Sequence, residues 1–370
     1  MRIGYDAKRL FCNHRGLGNY SRDLIRILSQ YFPDNQYDLY TPDIKLEVPL
    51  NTQNTSIIQP SGIYKFLPSS LWRSYGLNAE IMRHGDDIFH GLSQELPVGI
   101  EKLPIKKIVT FHDAIFMRYP ELYAASYRKI FTAKNFYSCR IADRIIAISE
   151  QSKRDAIEFF DADPAKVEVV YQGCNNIFRQ TASMEEKQAI RNKYDLPSDY
   201  LLFVGAIEPR KNIASIIQAI SQEKIDIPLV VVGRKTDYTT ELQQLAAQLH
   251  LSTSILFLHQ VETNDLPAIY QMAQLFVYPS IFEGFGIPIL EALCSETPVI
   301  TSSGSCFEET GGNFSMYVSP QNAEEIGAAI QTVLNDSGLQ KTMIQEGIIH
   351  AQNFTDDKIA DGLMSLYKSV

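Results

Sequence analysis

The sequence predicts an α/β protein made of two Rossmann-like, doubly wound domains facing a central cleft. Three observations predict it. The chain has 370 residues, whereas a single hydrophobic core stops growing at about 250–300 residues. Short β-rich runs alternate with helical patterns throughout, the signature of parallel α/β structure. That alternation restarts after a polar stretch, 179–199. The expected division is an N-terminal domain over 1–178, a second domain over 179–355, and an amphipathic segment, 356–370, suited to packing back on the first domain.

In the first half the apolar runs predict strands at Arg2–Asp6, Asp87–Leu92, Lys107–His112, Arg144–Ser149 and Lys166–Tyr171. Helical periodicity covers Asn19–Tyr31, Ser126–Ile141 and Ser149–Phe160, and Ser149 stands where a helix start meets a strand end. In the second half strands are predicted at Tyr200–Val204, Leu229–Gly233, Ile255–His259, Leu275–Pro279 and Val299–Ser302. Helices are expected near Asn212–Ala219, Thr240–Leu249, Leu266–Ala273 and Pro288–Leu293. In such folds ligands bind outside the carboxyl ends of the strands, here in the expected cleft. No internal repeat or low-complexity tract is present.

Composition narrows the class. With 45% hydrophobic and 21% charged residues, the chain is an ordinary globular protein, not a disordered, collagenous or coiled-coil one. No apolar run reaches the roughly 18–20 residues of a spanning helix, and the first residues read as a strand instead of a signal peptide. The five cysteines are scattered without a CxxC or CxxH cluster, which favours a reducing cytoplasm without a disulfide framework or structural zinc. The net charge is −9 and argues against a nucleic-acid partner. It is uneven: through Phe178, 22 Lys+Arg face 20 Asp+Glu, while the remainder holds 12 against 23.

The most specific stretch is Phe203-Val204-Gly205-Ala206-Ile207-Glu208-Pro209-Arg210-Lys211-Asn212-Ile213. A strand ends in Gly205, a loop carries Arg210 and Lys211 side by side, and a helix follows. Two cations beside a helix N-terminus suit a phosphate, and the alternative is a solvated basic pair. It is not a Walker loop. A second strand end leads into Glu283-Gly284-Phe285-Gly286-Ile287-Pro288-Ile289-Leu290-Glu291. Gly284 and Gly286 let backbone amides approach a ligand, and Glu283 and Glu291 can accept from the vicinal hydroxyls of a sugar or ribose. Taken alone, Glu283 would be a helix N-terminal anion and Glu291 a surface residue.

These two stretches resemble the signature of retaining glycosyltransferases of family 4, which have the GT-B fold, and the similarity covers essentially the whole chain. Arg15-Gly16-Leu17-Gly18-Asn19-Tyr20 resembles the family's first glycine-rich loop, and Thr110-Phe111-His112-Asp113 the His-Asp segment of mannosyltransferase-like members. Ile146–Glu150 and Val169–Gly173 follow in the family's order, although Gln172 departs from the usual Asn-Gly.

The resemblance implies a nucleotide-diphosphate sugar as donor substrate, with no cofactor and no metal required. Arg210 and Lys211 would neutralise the donor's diphosphate, and Glu291 would bind its ribose. Glu283 and the amides of Gly284, Phe285 and Gly286 would hold the transferred sugar and the phosphate side, next to Gly205. Gly16 and Gly18 would let the first domain's backbone reach the diphosphate or acceptor. His112 would contact the sugar near its reacting face, with a packed core histidine as the alternative, and Asp113 would orient it or serve the acceptor as base. His259 stands at a strand end near the expected base pocket.

The implied reaction is retaining transfer of a hexose, mannose from GDP-mannose foremost, to a saccharide or lipid-linked acceptor in surface-polysaccharide synthesis. A nucleotide-sugar 2-epimerase and a non-catalytic nucleotide-sugar binder are the alternatives. Asp161-Ala162-Asp163 mimics a metal-binding DxD but precedes Pro164 and reads as a turn. Gly16-Leu17-Gly18 is half a dinucleotide fingerprint with Ser21 in place of the third glycine. Aromatics alternate with cations in Ile63–Leu67 and Leu71–Tyr75. That pattern suits peripheral contact with the inner membrane surface, or else a buried helix face.

Overall fold

The computed structural model describes residues 1–14 and 16–370; Arg15 of the glycine-rich loop lies outside the described residues. The chain forms two compact units, one comprising Met1–Gly173 with Phe354–Val370 and the other Cys174–Asn353.

The first unit is a seven-stranded parallel sheet. Its strands are β1 (Arg2–Asp6), β2 (Gln36–Tyr40), β3 (Thr55–Ile58), β4 (Ile88–Gly91), β5 (Lys106–Phe111), β6 (Arg144–Ala147) and β7 (Val167–Val169), in the order β3-β2-β1-β4-β5-β6-β7. The second unit is a six-stranded parallel sheet of β8 (Leu201–Val204), β9 (Leu229–Val232), β10 (Ile255–Leu258), β11 (Leu275–Tyr278), β12 (Val299–Ser302) and β13 (Met316–Val318), in the order β10-β9-β8-β11-β12-β13. The central strands β8, β9 and β11 are buried along their whole length, as strands covered on both faces must be. That burial is why their unbroken apolar runs are readable in the sequence.

The expected helices form, with ends that differ from the expected ones by up to three residues. Ser149 caps the helix Glu150–Phe160, its hydroxyl accepting from the Ser152 amide at 2.9 Å. The helix at the glycine-rich loop starts at Gly16 and runs to Tyr31. One expectation is corrected: the polar stretch 179–199 holds a helix, Met184–Tyr194, opened by a capping box between Ser183 and Glu186. None of its residues is buried, so it has no apolar stripe for periodicity to detect.

The unit boundaries fall a few residues before the expected ones, for a packing reason. Phe178 sits edge-on to Tyr270 with ring centroids 5.8 Å apart, and Cys174 Sγ lies 3.5 Å from Cys294 Sγ, so 174–178 belong to the second unit. At the other boundary Phe354 packs edge-on against Tyr171 at 5.3 Å. The helix Asp356–Lys368 follows in the first unit, burying Ile359, Ala360, Leu363, Met364, Leu366 and Tyr367. Asp356 receives Arg26 Nη1 at 2.7 Å, and the Tyr367 hydroxyl meets His90 Nδ1 at 2.8 Å.

The aromatic-cationic stretch divides. Trp72 is wholly buried and Arg73 is paired with Asp6, whereas Ile63 and Phe66 are 70% and 86% exposed. Among the described residues no helix is long and apolar enough to cross a membrane.

Candidate active site

In the second unit the strand order reverses between β8 and β11. At such a switch point the loops leaving two neighbouring strands diverge and open a crevice at their carboxyl ends. The chain after β8 passes through Gly205 into a single turn, Pro209–Lys211, and the chain after β11 runs from Pro279 to Gly286. The loops are stitched together, since the Ile281 amide donates to the Arg210 carbonyl at 2.9 Å. Asn212, at φ 61°, turns the first loop into the helix Ile213–Gln222; asparagine is among the few side chains that tolerate this left-handed region. Gly286, at φ 91°, makes the corresponding entry into Ile287–Cys294.

This geometry brings Arg210, Lys211 and Glu283 together. Glu283 Oε1 receives Lys211 Nζ at 2.5 Å, the Ser280 hydroxyl at 2.6 Å and the Tyr278 hydroxyl at 3.0 Å, with Arg210 Nη1 at 3.1 Å. Lys211 Nζ also donates to the Tyr278 hydroxyl at 2.6 Å. Arg210 Nη2 donates to Glu208 at 2.6 Å, and Nη1 to the Phe282 carbonyl. Lys211 and Glu283 are each 8% exposed. Burial alone would raise the Glu283 pKa, but the adjoining Lys211 and Arg210 and the hydroxyl donors outweigh it and hold it at about 2. Burial pulls the Lys211 ammonium down, against the attraction of Glu283.

The sequence does not show this pairing. It suggests two open cations, whereas both are engaged by carboxylates 72–73 residues away in the chain or, for Glu208, two residues away. Tyr278 and Ser280, which complete the Glu283 site, carry no motif, although they stand at the end of β11 and just after it.

The other residues expected on the donor side lie after β8, β10 and β11 and on the helix Ile287–Cys294. Phe285 is buried and its carbonyl accepts from the Thr310 hydroxyl, which holds the Gly284–Gly286 backbone in place. Glu291 is half-buried on Ile287–Cys294, where the Tyr270 hydroxyl donates to Oε2 at 3.0 Å. His259 follows β10, with Nδ1 2.9 Å from the Gly233 carbonyl. Beside it, the Gly205 carbonyl approaches Gly233 so closely that a Cβ there would lie 2.1 Å from it.

Four of the expected residues, Gly16, Gly18, His112 and Asp113, belong to the first unit. Gly18 sits on the helix Gly16–Tyr31, where a Cβ would meet the Asn13 carbonyl at 1.9 Å; a Cβ at Gly16 would meet nothing within 4 Å. His112 directly follows β5 and is buried, its Nε2 2.8 Å from the Leu92 carbonyl and its ring edge-on to Tyr20 at 4.7 Å. Its own carbonyl accepts from the Ser152 hydroxyl at 2.6 Å. The Asp113 carboxylate accepts from the Ile115 amide at 3.1 Å. Asp161 and Asp163 shape a turn, Asp163 capping Pro164–Lys166. Among the described residues, no group of three or more His, Cys, Asp or Glu could hold a metal ion.

Burial also sets the titration of two histidines. It lowers His112 to about 4 and His90, which is bonded to Thr110 and Tyr367, to about 3. Both are below the ordinary value of about 6.5, so between those values the unfolded chain binds protons that the native one refuses. Stability is therefore fully present above about pH 6.5 and is lost as pH falls, each ring contributing up to about 1.4 kcal/mol per pH unit. Urea unfolding at pH 7.5 and 5.5 measures this; equal midpoints would contradict it.

Comparison with known proteins agrees with this architecture. Residues 14–176 match the model "Glycosyltransferase Family 4" and residues 185–350 the model "Glycosyl transferases group 1". The chain is 28% identical over 288 residues to the O-antigen chain mannosyltransferase B of Escherichia coli, covering 76% of this chain and 74% of that one. It is 32% identical over 225 residues to the O-antigen chain mannosyltransferase RfbU of Salmonella typhimurium, covering 61% of this chain and 60% of that one. Its fold matches the structure of HepE from Anabaena in complex with UDP and glucose, with a TM-score of 0.75 and 18% identity over the full length of both chains. Two parallel α/β units of the GT-B kind, each accounted for by a matching model, place the chain in glycosyltransferase family 4, a family of retaining hexosyltransferases.

Proposed function

We propose that the protein transfers mannose from GDP-mannose, with retention and without a metal ion, to a saccharide or lipid-linked acceptor in surface-polysaccharide synthesis. The observation that carries the reading is the Arg210–Lys211–Glu283 cluster at the β8/β11 switch point. Two cations face the buried Glu283 and the more exposed Glu208, so a diphosphate meets net positive charge where it draws Arg210 away from Glu208. As the bond from the sugar's C1 to the phosphate oxygen breaks, negative charge grows on the leaving group, and fixed cations in a water-poor site stabilise it strongly. The bond from C1 to the acceptor oxygen forms on the same face, and the acceptor's proton passes to the leaving phosphate. Glu283 Oε1 has four donors around it, and among the described residues no hydrogen bond engages Oε2, which can accept from a sugar hydroxyl.

Glu291 is assigned to the ribose hydroxyls, and the Gly284, Phe285 and Gly286 amides to the phosphate side. In the first unit, His112 is assigned to the transferred sugar and Asp113 to the acceptor hydroxyl. The mannose assignment draws on the two relatives named as O-antigen mannosyltransferases. Exposed Ile63 and Phe66 offer a peripheral contact with a membrane that carries the acceptor.

A thermal-shift screen of nucleotide sugars tests the donor, because a ligand at 100 times its Kd stabilises by about 2.7 kcal/mol. GDP-mannose is expected to give the largest shift, and a larger one with a uridine or adenosine sugar would displace it. Turnover should persist in EDTA; complete loss that manganese restores would refute metal-independent catalysis.

A further inference from the structure

The first unit has a switch point of its own, between β1 and β4, and a charged cavity lies there. Its volume is about 200 Å³. Asp6 is the last residue of β1, and Glu95 closes the short turn after β4. That turn folds tightly back on its strand: a Cβ on Gly91 would lie 2.2 Å from the Glu95 carbonyl. Arg73 crosses between the two carboxylates, its Nη2 2.5 Å from Asp6 Oδ2 and 3.6 Å from Glu95 Oε2. Lys134, from the helix Ala125–Ile141, completes the wall with Nζ 2.8 Å from Glu95 Oε2. Leu96, Pro97 and Val98 supply an apolar side.

Building these charges into one cavity is costly if they serve only the fold. Arg73 and Asp6 are 11% and 5% exposed at the side chain, and a buried ion pair usually returns little net stability for the desolvation it demands. The cluster also keeps hydrogen-bonding capacity facing the cavity. Among the described residues, no hydrogen bond engages Arg73 Nη1 or Glu95 Oε1. Two carboxylates and two cations cancel on the lining itself, with Lys8 acting on Arg73, Asp6 and Glu95 from beside it, so the lining alone offers a diphosphate no net charge. What it offers is closely spaced acceptors and donors opposite an apolar face, in a volume below the 300–1,000 Å³ typical of drug-sized ligands. A pyranose ring, with a rim of hydroxyls and a C–H face, has that chemistry.

We infer that this cavity binds a neutral pyranose, the terminal sugar of the acceptor, with Glu95 and Arg73 reading its hydroxyls and Val98 lying against its C–H face. The acceptor role rests on the transferase reading above. The test uses the full chain and three probes, the methyl α-pyranosides of mannose, glucose and galactose, titrated by saturation-transfer NMR with parallel GDP-mannose calorimetry. One of the three is expected to bind. Glu95→Gln should weaken it at least about tenfold, as loss of a charged hydrogen bond does. Val98→Trp should abolish it by filling the cavity; Val98 is 46% exposed, so that variant keeps the ion pairs and the fold. GDP-mannose affinity should stay within twofold in both. Unchanged pyranoside affinity in both variants, or no saturation from any probe at about 50 mM, would overturn the assignment. Pyranoside binding without nucleotide-sugar binding sustains the sugar site and counts against the transferase reading alone.

Discussion

Lys211→Ala is expected to turn over at least about a hundredfold more slowly than the wild type, the usual consequence of removing one electrostatic contact to a developing anion. The same change should destabilise the second unit by about 3–5 kcal/mol, because Glu283 is left as a buried carboxylate with its nearest cation gone. A double variant, Lys211→Met with Glu283→Gln, removes both charges and should recover most of the stability and none of the turnover. Steady-state kinetics and urea unfolding on the two proteins separate the effects. If Lys211→Ala kept full turnover, the cluster would be a fold element only. If the double variant were as unstable as the single one, the ion pair would not be the source of the loss. Glu283 keeps its charge down to about pH 2, so no inflection in rate above pH 4 should trace to it.

Deleting residues 354–370 is expected to unfold the first unit altogether. The helix Asp356–Lys368 buries Ile359, Leu363, Met364 and Leu366 there, each worth about 1.5–3 kcal/mol when fully buried, with Tyr367 and Ala360 beside them. Together they are comparable to the roughly 5–15 kcal/mol by which a whole domain is stable. The deletion also strips His90 of Tyr367 and Arg26 of Asp356. Hydrogen exchange on the truncated chain should show amides of β1 and β4 unprotected while those of β8, β9 and β11 stay protected. Native-like protection of β1 would show the helix to be dispensable.

What could be read from sequence follows from how each part is stabilised. β8, β9 and β11 are legible because both faces are buried and every residue is apolar or aromatic. β2 is hidden by its own chemistry. Gln36–Tyr40 carries Asp38, which is buried against Arg2 at 2.7 Å, and Tyr37 and Tyr40, whose hydroxyls find partners inside the fold. β3 and β13 are edge strands with one buried residue each, so neither carries the two-faced burial that marks β8, β9 and β11. At the candidate site, Arg210, Lys211, Glu283 and Glu291 stand out because adjacent residues in the chain form each loop. Asp6, Arg73 and Glu95 do not, because the fold gathers them from three separate segments, and none carries a motif. Pairing across the chain, as between Lys211 and Glu283, is a property of topology that no local pattern encodes.

The return of Phe354–Val370 to the first unit also sets an order of events during synthesis. The strands β1 to β7 leave the ribosome first but cannot finish their unit until the last segment follows. At about 5–20 residues per second, translating the intervening Cys174–Asn353 takes roughly 10–35 s. Through that interval the nascent sheet shows the apolar surface that Leu363, Met364 and Tyr367 later cover, and a hydrophobic face exposed so long is one that chaperones engage. The second unit, contiguous in the chain, faces no such delay. The half of the protein made first is thus completed last.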